Sequence, residues 1–345
     1  MKFRIEKYSD ALLEDWEKLN LNVKNSSFLS SIHWLNFKKK RGANIDLYLV
    51  YLNERIVGLL PIEIFRRKIA KYAYSAYSPV LDLVDEDLED FYKSFKRFCN
   101  EYIKKNSLNL FRFDPLLDVS KRPLLEKLEY KKSLSPAQAI DTWVMDISGE
   151  EEELFMKIKK DTRYYIRRAE KNGIKIVKAS NKDKVAEFGE LMKETTLRKG
   201  FGNYNSEYYI DQWNELSSKG LCSIYLAKFE DKAISGALIN HYKDTANYSH
   251  GASTSDYELM KLSSPYLLHW EIIKDMRSKD INKYNFWGVL PDNVSKSHNM
   301  YGLSMFKKKF PGELVSYVGA YEFAPGLKGL INRVSDYFSY KKERY

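Results

Sequence analysis

The sequence has 345 residues, of which 44% are hydrophobic and 30% charged, a composition typical of a folded globular protein rather than a disordered chain. Its two cysteines exclude a disulfide framework, and its five histidines show no metal-binding spacing, so we expect no metal. The net charge of +10 favours an anionic partner, such as nucleic acid, a nucleotide-linked substrate or an acidic membrane surface, but equally fits a protein that is basic only for solubility.

The sequence leads us to expect neither a signal peptide nor a membrane-spanning segment. Residues 1–10 lack the apolar core of a signal peptide, and no stretch approaches the roughly 18 apolar residues that a membrane helix needs. We therefore expect a cytoplasmic protein. The length of the chain also predicts two domains.

Two stretches of the chain share the pattern of strand, polar turn and strand. Residues 48–64 and residues 225–242 each contain two apolar runs joined by a charged turn, which predicts a β-hairpin. The second run of each hairpin contains one glycine, Gly58 or Gly236. An interior glycine in a strand indicates a bulge or the close approach of another part of the backbone.

The repeat continues beyond the hairpins. The matching segments predict a strand (72–80 and 247–254), an amphipathic helix (87–105 and 263–279) and a final strand (108–115 and 281–289). This order predicts an α/β (α+β) protein made of two copies of one unit, with the functional groups where the copies meet. It resembles a tandem duplication of the GCN5-related acetyltransferase (GNAT) fold.

Neither copy has the phosphate-binding turn of an acetyltransferase. That turn is rich in glycine, so that its backbone N–H groups can hold the pyrophosphate of coenzyme A. Residues 260–265 contain no glycine, and residues 85–90 are mostly acidic. We therefore expect no cofactor, although a GNAT-like N-acyltransferase that uses an acyl-thioester on a small amine remains the alternative function.

A basic helix is predicted between the two copies. Ser148 and Glu151 have the spacing of a capping box, an apolar stripe runs from Phe155 to Ala169, and Gly173 is a typical helix end. Residues 157–171 hold seven basic and two acidic residues. This density suits contact with the phosphates of a nucleic acid as well as an ordinary solvent-exposed face.

Seven segments, in the same order over nearly the whole chain, resemble the Fem family of non-ribosomal peptidyltransferases. They are HWLNFKKKRG (33–42), IKKDTRYYIRRAEKNGI (158–174), MKETTLRKGF (192–201), ISGALI (234–239), YSHGAS (248–253), NFWGV (285–289) and GLSMFKKKFPGELVSYVGAYE (302–322). The last segment is the most specific. The resemblance implies transfer of an amino acid from aminoacyl-tRNA to the peptide of a peptidoglycan precursor, by a compact member without the long helical arm.

The resemblance also implies roles for individual residues. Lys307, which follows the substrate-contacting Phe306, matches a lysine that is important for transfer. Asp114 matches an aspartate proposed as general base, although an aspartate before proline is also a common turn. Lys38 and Arg198 match a lysine and an arginine that hold the diphosphate of the precursor from opposite domains.

Further candidates come from the predicted strand ends and the basic helix. Tyr248, His250 and Trp287 are expected at the carboxyl ends of neighbouring strands, where open α/β sheets bind ligands. The candidates for contact with tRNA are Lys160, Arg163 and Arg167.

The resemblance implies a first domain of residues 1–146 completed by residues from about 318 to 345, and a second domain of residues 147–317. We expect a monomer that uses aminoacyl-tRNA and a UDP-linked or lipid-linked muropeptide precursor. The basic, amphipathic tail either packs on the protein or touches an anionic membrane. A protein that binds RNA or the precursor without catalysis is a third hypothesis.

Overall fold

The computed structural model describes residues 2–9, 13–66, 71–135, 137–200 and 204–344. The chain forms two compact units, one of Met1–Ile140 with Ser316–Tyr345 and one of Asp141–Val315. Asp141–Asp146, which the sequence analysis assigned to the first domain, is a strand in the sheet of the second unit. The boundary therefore lies before this strand rather than after it.

The elements follow one another in an order that repeats. The first unit opens with β1 (Phe3–Lys7), α1 (Leu13–Asn22), α2 (Ile32–Lys40), β2 (Ile45–Leu52), β3 (Arg55–Arg66), β4 (Lys71–Ser75), β5 (Val80–Leu81), α3 (Asp85–Asn106), β6 (Leu110–Phe113), α4 (Arg122–Lys127) and β7 (Lys131–Lys132). The second unit consists of β8 (Asp141–Asp146), α5 (Glu151–Lys157), α6 (Lys160–Lys171), β9 (Lys175–Lys178), α7 (Lys182–Lys199), α8 (Ser206–Leu216), β10 (Cys222–Phe229), β11 (Lys232–Tyr242), β12 (Thr245–Ser253), α9 (Tyr257–Met260), α10 (Ser264–Arg277), β13 (Lys283–Gly288), α11 (Tyr301–Lys307) and β14 (Glu313–Ser316). The chain then returns to the first unit with β15 (Tyr321–Phe323) and α12 (Gly326–Arg344).

The two sheets have corresponding topologies. The first has the strand order β1-β2-β3-β4-β6-β15-β7, with β5 beside β3, and the second has the order β14-β8-β13-β12-β11-β10-β9. In each, an antiparallel hairpin leads to a third strand, a helix crosses over, and the following strand pairs in parallel: β4 with β6, and β12 with β13. The predicted duplication of a GNAT-like unit is thus confirmed.

Both predicted hairpins are present, and their glycines are needed for close packing. A Cβ on Gly58 would lie 2.7 Å from the carbonyl oxygen of Val80, and a Cβ on Gly236 would lie 2.8 Å from the ring of Phe188. Each hairpin also changes register near its turn, as the glycine predicted.

The basic helix between the copies is broken into two. α5 ends at Lys157, the next residue Ile158 has an extended ψ of 140°, and α6 begins at Lys160. The predicted capping box is wrong, since the residue before α5 is Glu150 and the hydroxyl of Ser148 donates instead to Asp146 Oδ1 at 2.6 Å. The predicted apolar side of this helical segment still packs inward, with Ile158 and Ile166 buried. The break matters because it changes which basic side chains remain free for a partner.

The C-terminal segment completes the first sheet. β15 pairs antiparallel with β6, so that Tyr321 lies opposite Phe113. Arg112 on β6 is buried, and its Nη2 lies 2.6 Å from carboxylate oxygens of both Glu322 on β15 and Asp336 on α12. This charged network attaches the last helix to the sheet, because a buried guanidinium requires paired acceptors.

Candidate active site

The candidate site of the second unit begins where two parallel strands stop pairing. β12 and β13 share a ladder only from Thr245 to Asn247 on one strand, opposite Lys283 to Asn285 on the other. Beyond that point β12 remains paired with β11 but not with β13, and β13 reaches Trp287, whose φ of 65° lies in the left-handed region. Its N–H donates to Asn285 Oδ1 at 2.8 Å. A bulky residue in this conformation costs about 1–3 kcal/mol, a strain that is common at functional sites.

Lys307 projects from the end of α11 into this region. Its Nζ donates to the carbonyl oxygen of Gly288 at 2.7 Å and lies 5.7 Å from the centroid of the Tyr248 ring. The side chain is only 5% exposed, and among the described residues no carboxylate pairs with it. Burial therefore lowers the pKa of Lys307 from 10.5 to about 7. An amine in this state can accept a proton or, once charged, stabilise a developing negative charge near neutral pH.

Tyr248 lies against the backbone of its own strand. A Cβ on Gly251 would be 1.6 Å from the Tyr248 hydroxyl oxygen, so the ring occupies this position only because residue 251 is glycine. The other side of the ring meets His269 of α10 edge-on, with centroids 4.5 Å apart. Tyr248, Phe306 and Lys307, three predicted site residues, are thus brought together, with Phe306 5.5 Å from the His269 ring.

His269 is a member of this cluster that the sequence did not reveal. Its Nδ1 lies 2.7 Å from the Tyr284 hydroxyl oxygen, and burial together with the charge of Lys307 lowers its pKa to about 3. The imidazole is therefore neutral at pH 7 and supports the Tyr248 ring through packing. Because His269 occupies the apolar face of a helix, its sequence context indicates only a core position.

His250 does not join Tyr248. The register of β12 shifts at Ser249, so that Tyr248 lies opposite Ile239 while His250 lies opposite the adjacent residue Leu238. Since neighbouring residues of β11 face opposite sides of the sheet, the bulge places His250 on the other face. There it packs edge-on against Tyr209 of α8 at 5.6 Å. Alternation along an unbroken strand would have put the two side chains on one face.

Arg198 holds the end of β12 in place. Its Nη2 donates to Ser253 Oγ at 2.7 Å, and its Nη1 donates to the carbonyl oxygen of Thr254. Its Nε is buried without a hydrogen-bond partner in the described part of the chain. The Nη1 and Nη2 donors are already engaged by the oxygens of Ser253 and Thr254.

Lys38 lies in the first unit, in the last turn of α2. Its Nζ forms an ion pair with Glu63 of β3, and the two side chains are 31% and 18% exposed. A diphosphate at this lysine would compete with or displace that carboxylate. The predicted pairing of Lys38 with Arg198 on one diphosphate stays a prediction.

Asp114 follows β6 and is enclosed, with 2% of its surface exposed. Its Oδ2 accepts from the Tyr74 hydroxyl at 2.7 Å, and its Oδ1 accepts from the N–H of Tyr77 at 2.6 Å. Burial raises the pKa of Asp114 from 3.8 to about 7. These contacts tie the end of β6 to β4 and to the residue Tyr77 that follows it, which favours the structural role over that of general base.

The three tRNA candidates on α6 differ in availability. Arg163 is committed to the protein, because its Nη1 donates to the carbonyl oxygens of Met156 at 2.6 Å and Ile158 at 2.7 Å, across the break before α6. Lys160 and Arg167 are exposed, and the Arg167 guanidinium lies 5.2 Å from the ring centroid of Phe155. The exposed pair is therefore the better candidate for phosphate contact.

The described part of the chain has neither a metal-binding cluster nor a membrane-spanning helix. No three or more histidine, cysteine, aspartate or glutamate side chains in that part of the chain are grouped so that they could hold a metal ion. Within the same ranges, no helix combines the length and apolarity needed to cross a bilayer.

Comparison with known proteins identifies the family. A sequence model described as the FemAB family matches residues 129–233 and 222–328. A relative named lipid II:glycine glycyltransferase, from Staphylococcus epidermidis, is 22% identical over 87% of this chain and 88% of its own length. The crystal structure of FemX covers 96% of this chain with a TM-score of 0.79 at 17% identity, with all of its own chain aligned. A tandem GNAT protein from the clavulanic acid biosynthesis pathway aligns with 94% of this chain and 99% of its own, with a TM-score of 0.55 and 9% identity. Because the family model matches more than half of the sequence, on a duplicated GNAT-like fold, the chain belongs to the FemAB family.

Proposed function

We propose that this protein is an aminoacyltransferase that moves an amino acid from aminoacyl-tRNA to an amine in the peptide of a peptidoglycan precursor. Membership of the FemAB family and similarity to the lipid II:glycine glycyltransferase support this reaction. The observation that carries the proposal is Lys307, a buried amine beside Tyr248 whose pKa is lowered to about 7.

The chemistry is aminolysis of an ester. The acceptor nitrogen attacks the ester carbonyl, a C–N bond forms, the C–O bond to the ribose breaks, and the ammonium proton passes to the leaving oxygen. Lys307 in its neutral form accepts that proton, and the resulting ammonium stabilises the tetrahedral oxyanion or protonates the ribose oxygen. A pKa near 7 suits both steps, because neither protonation state is then rare at neutral pH.

The donor would bind along α6. Lys160 and Arg167 are exposed and face no acidic partner in the described hydrogen bonds and ion pairs. Side chains of this kind position a nucleic acid through its phosphates without reading its sequence. The aminoacyl end would then reach the cluster of Tyr248, Phe306 and Lys307 in the same unit.

The acceptor would be held through its diphosphate. Arg198 in the second unit and Lys38 in the first are each candidates for contact with this group. A guanidinium and an ammonium each bind phosphate oxygens. Both UDP-linked and lipid-linked muropeptides carry that group, so the contact does not select between them.

The test is transfer by the purified full chain. Charged tRNAs are offered with a UDP-linked and a lipid-linked muropeptide, and the precursor mass is measured; acetyl-coenzyme A serves as the donor for the alternative, acyl-thioester reaction. We expect one aminoacyl increment, loss of transfer by at least about 100-fold in Lys307→Met, and a rate close to wild type in Lys308→Met. If no charged tRNA yields a product while the protein is folded, or if Lys307→Met transfers at the wild-type rate, the proposal fails.

A further inference from the structure

The last helix packs on the first unit through its polar face. Asp336 accepts from Arg112 Nη2 at 2.6 Å, Arg333 Nε donates to Glu322 Oε2 at 2.7 Å, and Asn332 is buried. A Cβ on Gly329 would lie 2.9 Å from the carbonyl oxygen of Asn109, so the helix approaches the unit closely along this side. The contacts that attach α12 are therefore mainly ionic and polar.

The opposite face of α12 is apolar and exposed. Its members are 41% to 73% exposed and comprise Leu327, Leu330, Ile331, Val334, Tyr337 and Phe338. At 100° per residue they lie within an arc of about 120°, centred opposite Asn332, Asp336 and Gly329. We call this set the apolar stripe. An apolar surface of this length on a helix marks an interaction site rather than scattered surface residues.

The charge of the helix indicates what covers the apolar stripe. α12 contains five basic residues and two acidic ones, and one of the acids, Asp336, is bound to Arg112 on the inner side. Lys328 is exposed, and the sequence adds Lys341, Lys342 and Arg344 shortly after Phe338. A second copy of this helix would meet like charge, whereas an anionic surface would meet both the apolar stripe and its basic ends.

We propose that α12 docks the protein on an anionic membrane surface, with the apolar stripe inserted between lipid headgroups and the basic residues on the lipid phosphates. A helix that lies in the interface buries its apolar face at the boundary of headgroups and acyl chains, and basic residues strengthen its binding to anionic lipid. The docking does not depend on the proposed transfer. If that function holds, docking adds a preference for a lipid-linked over a nucleotide-linked acceptor.

Flotation of the full chain with vesicles tests the proposal. The protein should float with vesicles of phosphatidylcholine and phosphatidylglycerol, bind pure phosphatidylcholine vesicles at least about tenfold more weakly, and lose affinity as salt rises. Ile331→Glu places a charge in the apolar stripe and should weaken binding by about tenfold or more. Val84→Glu is the matched control, because Val84 is 62% exposed in the same unit, and it should bind as the wild type does.

Two further measurements keep the outcomes distinct. A dye sensitive to polarity, attached at Phe338→Cys, should shift to the blue with anionic vesicles, and transfer to a UDP-linked precursor should be unchanged in Ile331→Glu. Absence of wild-type flotation, or equal flotation of Ile331→Glu, overturns the docking proposal. Sedimentation showing a dimer that Ile331→Glu dissociates, without vesicle binding, would instead assign the apolar stripe to a second copy. Vesicle binding without any transfer would refute the proposed function alone.

Discussion

Replacing Lys307 by methionine should abolish transfer and, at neutral pH, stabilise the folded protein. The lysine is buried, and its only described hydrogen bond is to the carbonyl oxygen of Gly288. Methionine has a similar length without a charge to bury. A residue that is retained although it destabilises the fold is expected where function requires it.

The size of the effect follows from the pKa. Lowering the pKa of Lys307 from 10.5 to about 7 corresponds, at about 1.4 kcal/mol per pKa unit, to a penalty of about 5 kcal/mol. The penalty is full below pH 7 and disappears as the pH rises to 10.5, because the unfolded chain binds more protons than the folded one between these values. Loss of the donor to Gly288 offsets about 1–3 kcal/mol. We therefore expect a net stabilisation of about 2–4 kcal/mol at pH 7.

Urea unfolding across this pH window measures the effect. The free energy of unfolding of the wild type should rise with pH relative to that of Lys307→Met. The advantage of the variant should therefore shrink and, at the alkaline end, turn into a deficit of about 1–3 kcal/mol from the lost hydrogen bond. Lys308→Met, the same change in the next residue, should keep the wild-type pH dependence. A Lys307→Met variant that is less stable than the wild type at pH 7, or whose difference from it does not vary with pH, would refute the argument from burial.

Three further substitutions separate the roles of individual residues. Gly251→Ala would force the Tyr248 ring to move and should cost about 1–3 kcal/mol of stability and most of the transfer rate. In the control Gly302→Ala, the added Cβ meets nothing within 4 Å, so the variant should keep the transfer rate and gain up to about 1 kcal/mol in the free energy of unfolding, measured in urea. Equal behaviour of the two variants would count against the packing at Tyr248. Because the folded pKa of Asp114 is raised to about 7 from 3.8, its contribution to stability is full below pH 3.8 and is lost as the pH rises through 7. Asp114→Asn should remove this dependence and leave transfer near the wild-type rate, and a loss of about 100-fold with an intact fold would instead identify a general base. Arg167→Glu should weaken tRNA binding, measured by fluorescence anisotropy. The slope of log affinity against log salt concentration should fall by about one, as expected for the loss of one phosphate contact. An unchanged affinity would show that tRNA does not bind at α6.

The local elements were predictable because their signals are local. The alternation of apolar residues and the charged turns predicted both hairpins, and the glycines predicted their close packing. The repeated order of helix and strand predicted the duplicated topology. The prediction of one continuous helix where the structure has α5 and α6 was wrong for a related reason. The apolar residues from Phe155 to Ala169 are compatible with a straight helix, and their spacing does not reveal the extended backbone at Ile158.

The membership of the candidate site was less predictable. Matched segments pointed to Tyr248, Phe306 and Lys307, which the structure brings together. A single extra residue in β12 separates His250 from them, and whether a strand bulges depends on its pairing partner. His269 joined the cluster only through the packing of α10, which no spacing in the sequence records.

The repeat, the types of the elements and the family could be predicted from the sequence, because they depend on residue patterns along the chain. Only the three-dimensional structure shows which charged side chains form contacts within the protein and which are exposed to a partner. Arg163 is used to hold a helix break, and Asp114 is enclosed by Tyr74 and the backbone at Tyr77. From its sequence, the amphipathic tail could pack on the protein through either face. In the structure its polar face lies inward, where Asp336 pairs with the buried Arg112 and Arg333 pairs with the buried Glu322, and its apolar stripe is exposed. Pairing these buried charges avoids the large cost of a buried charge without a partner.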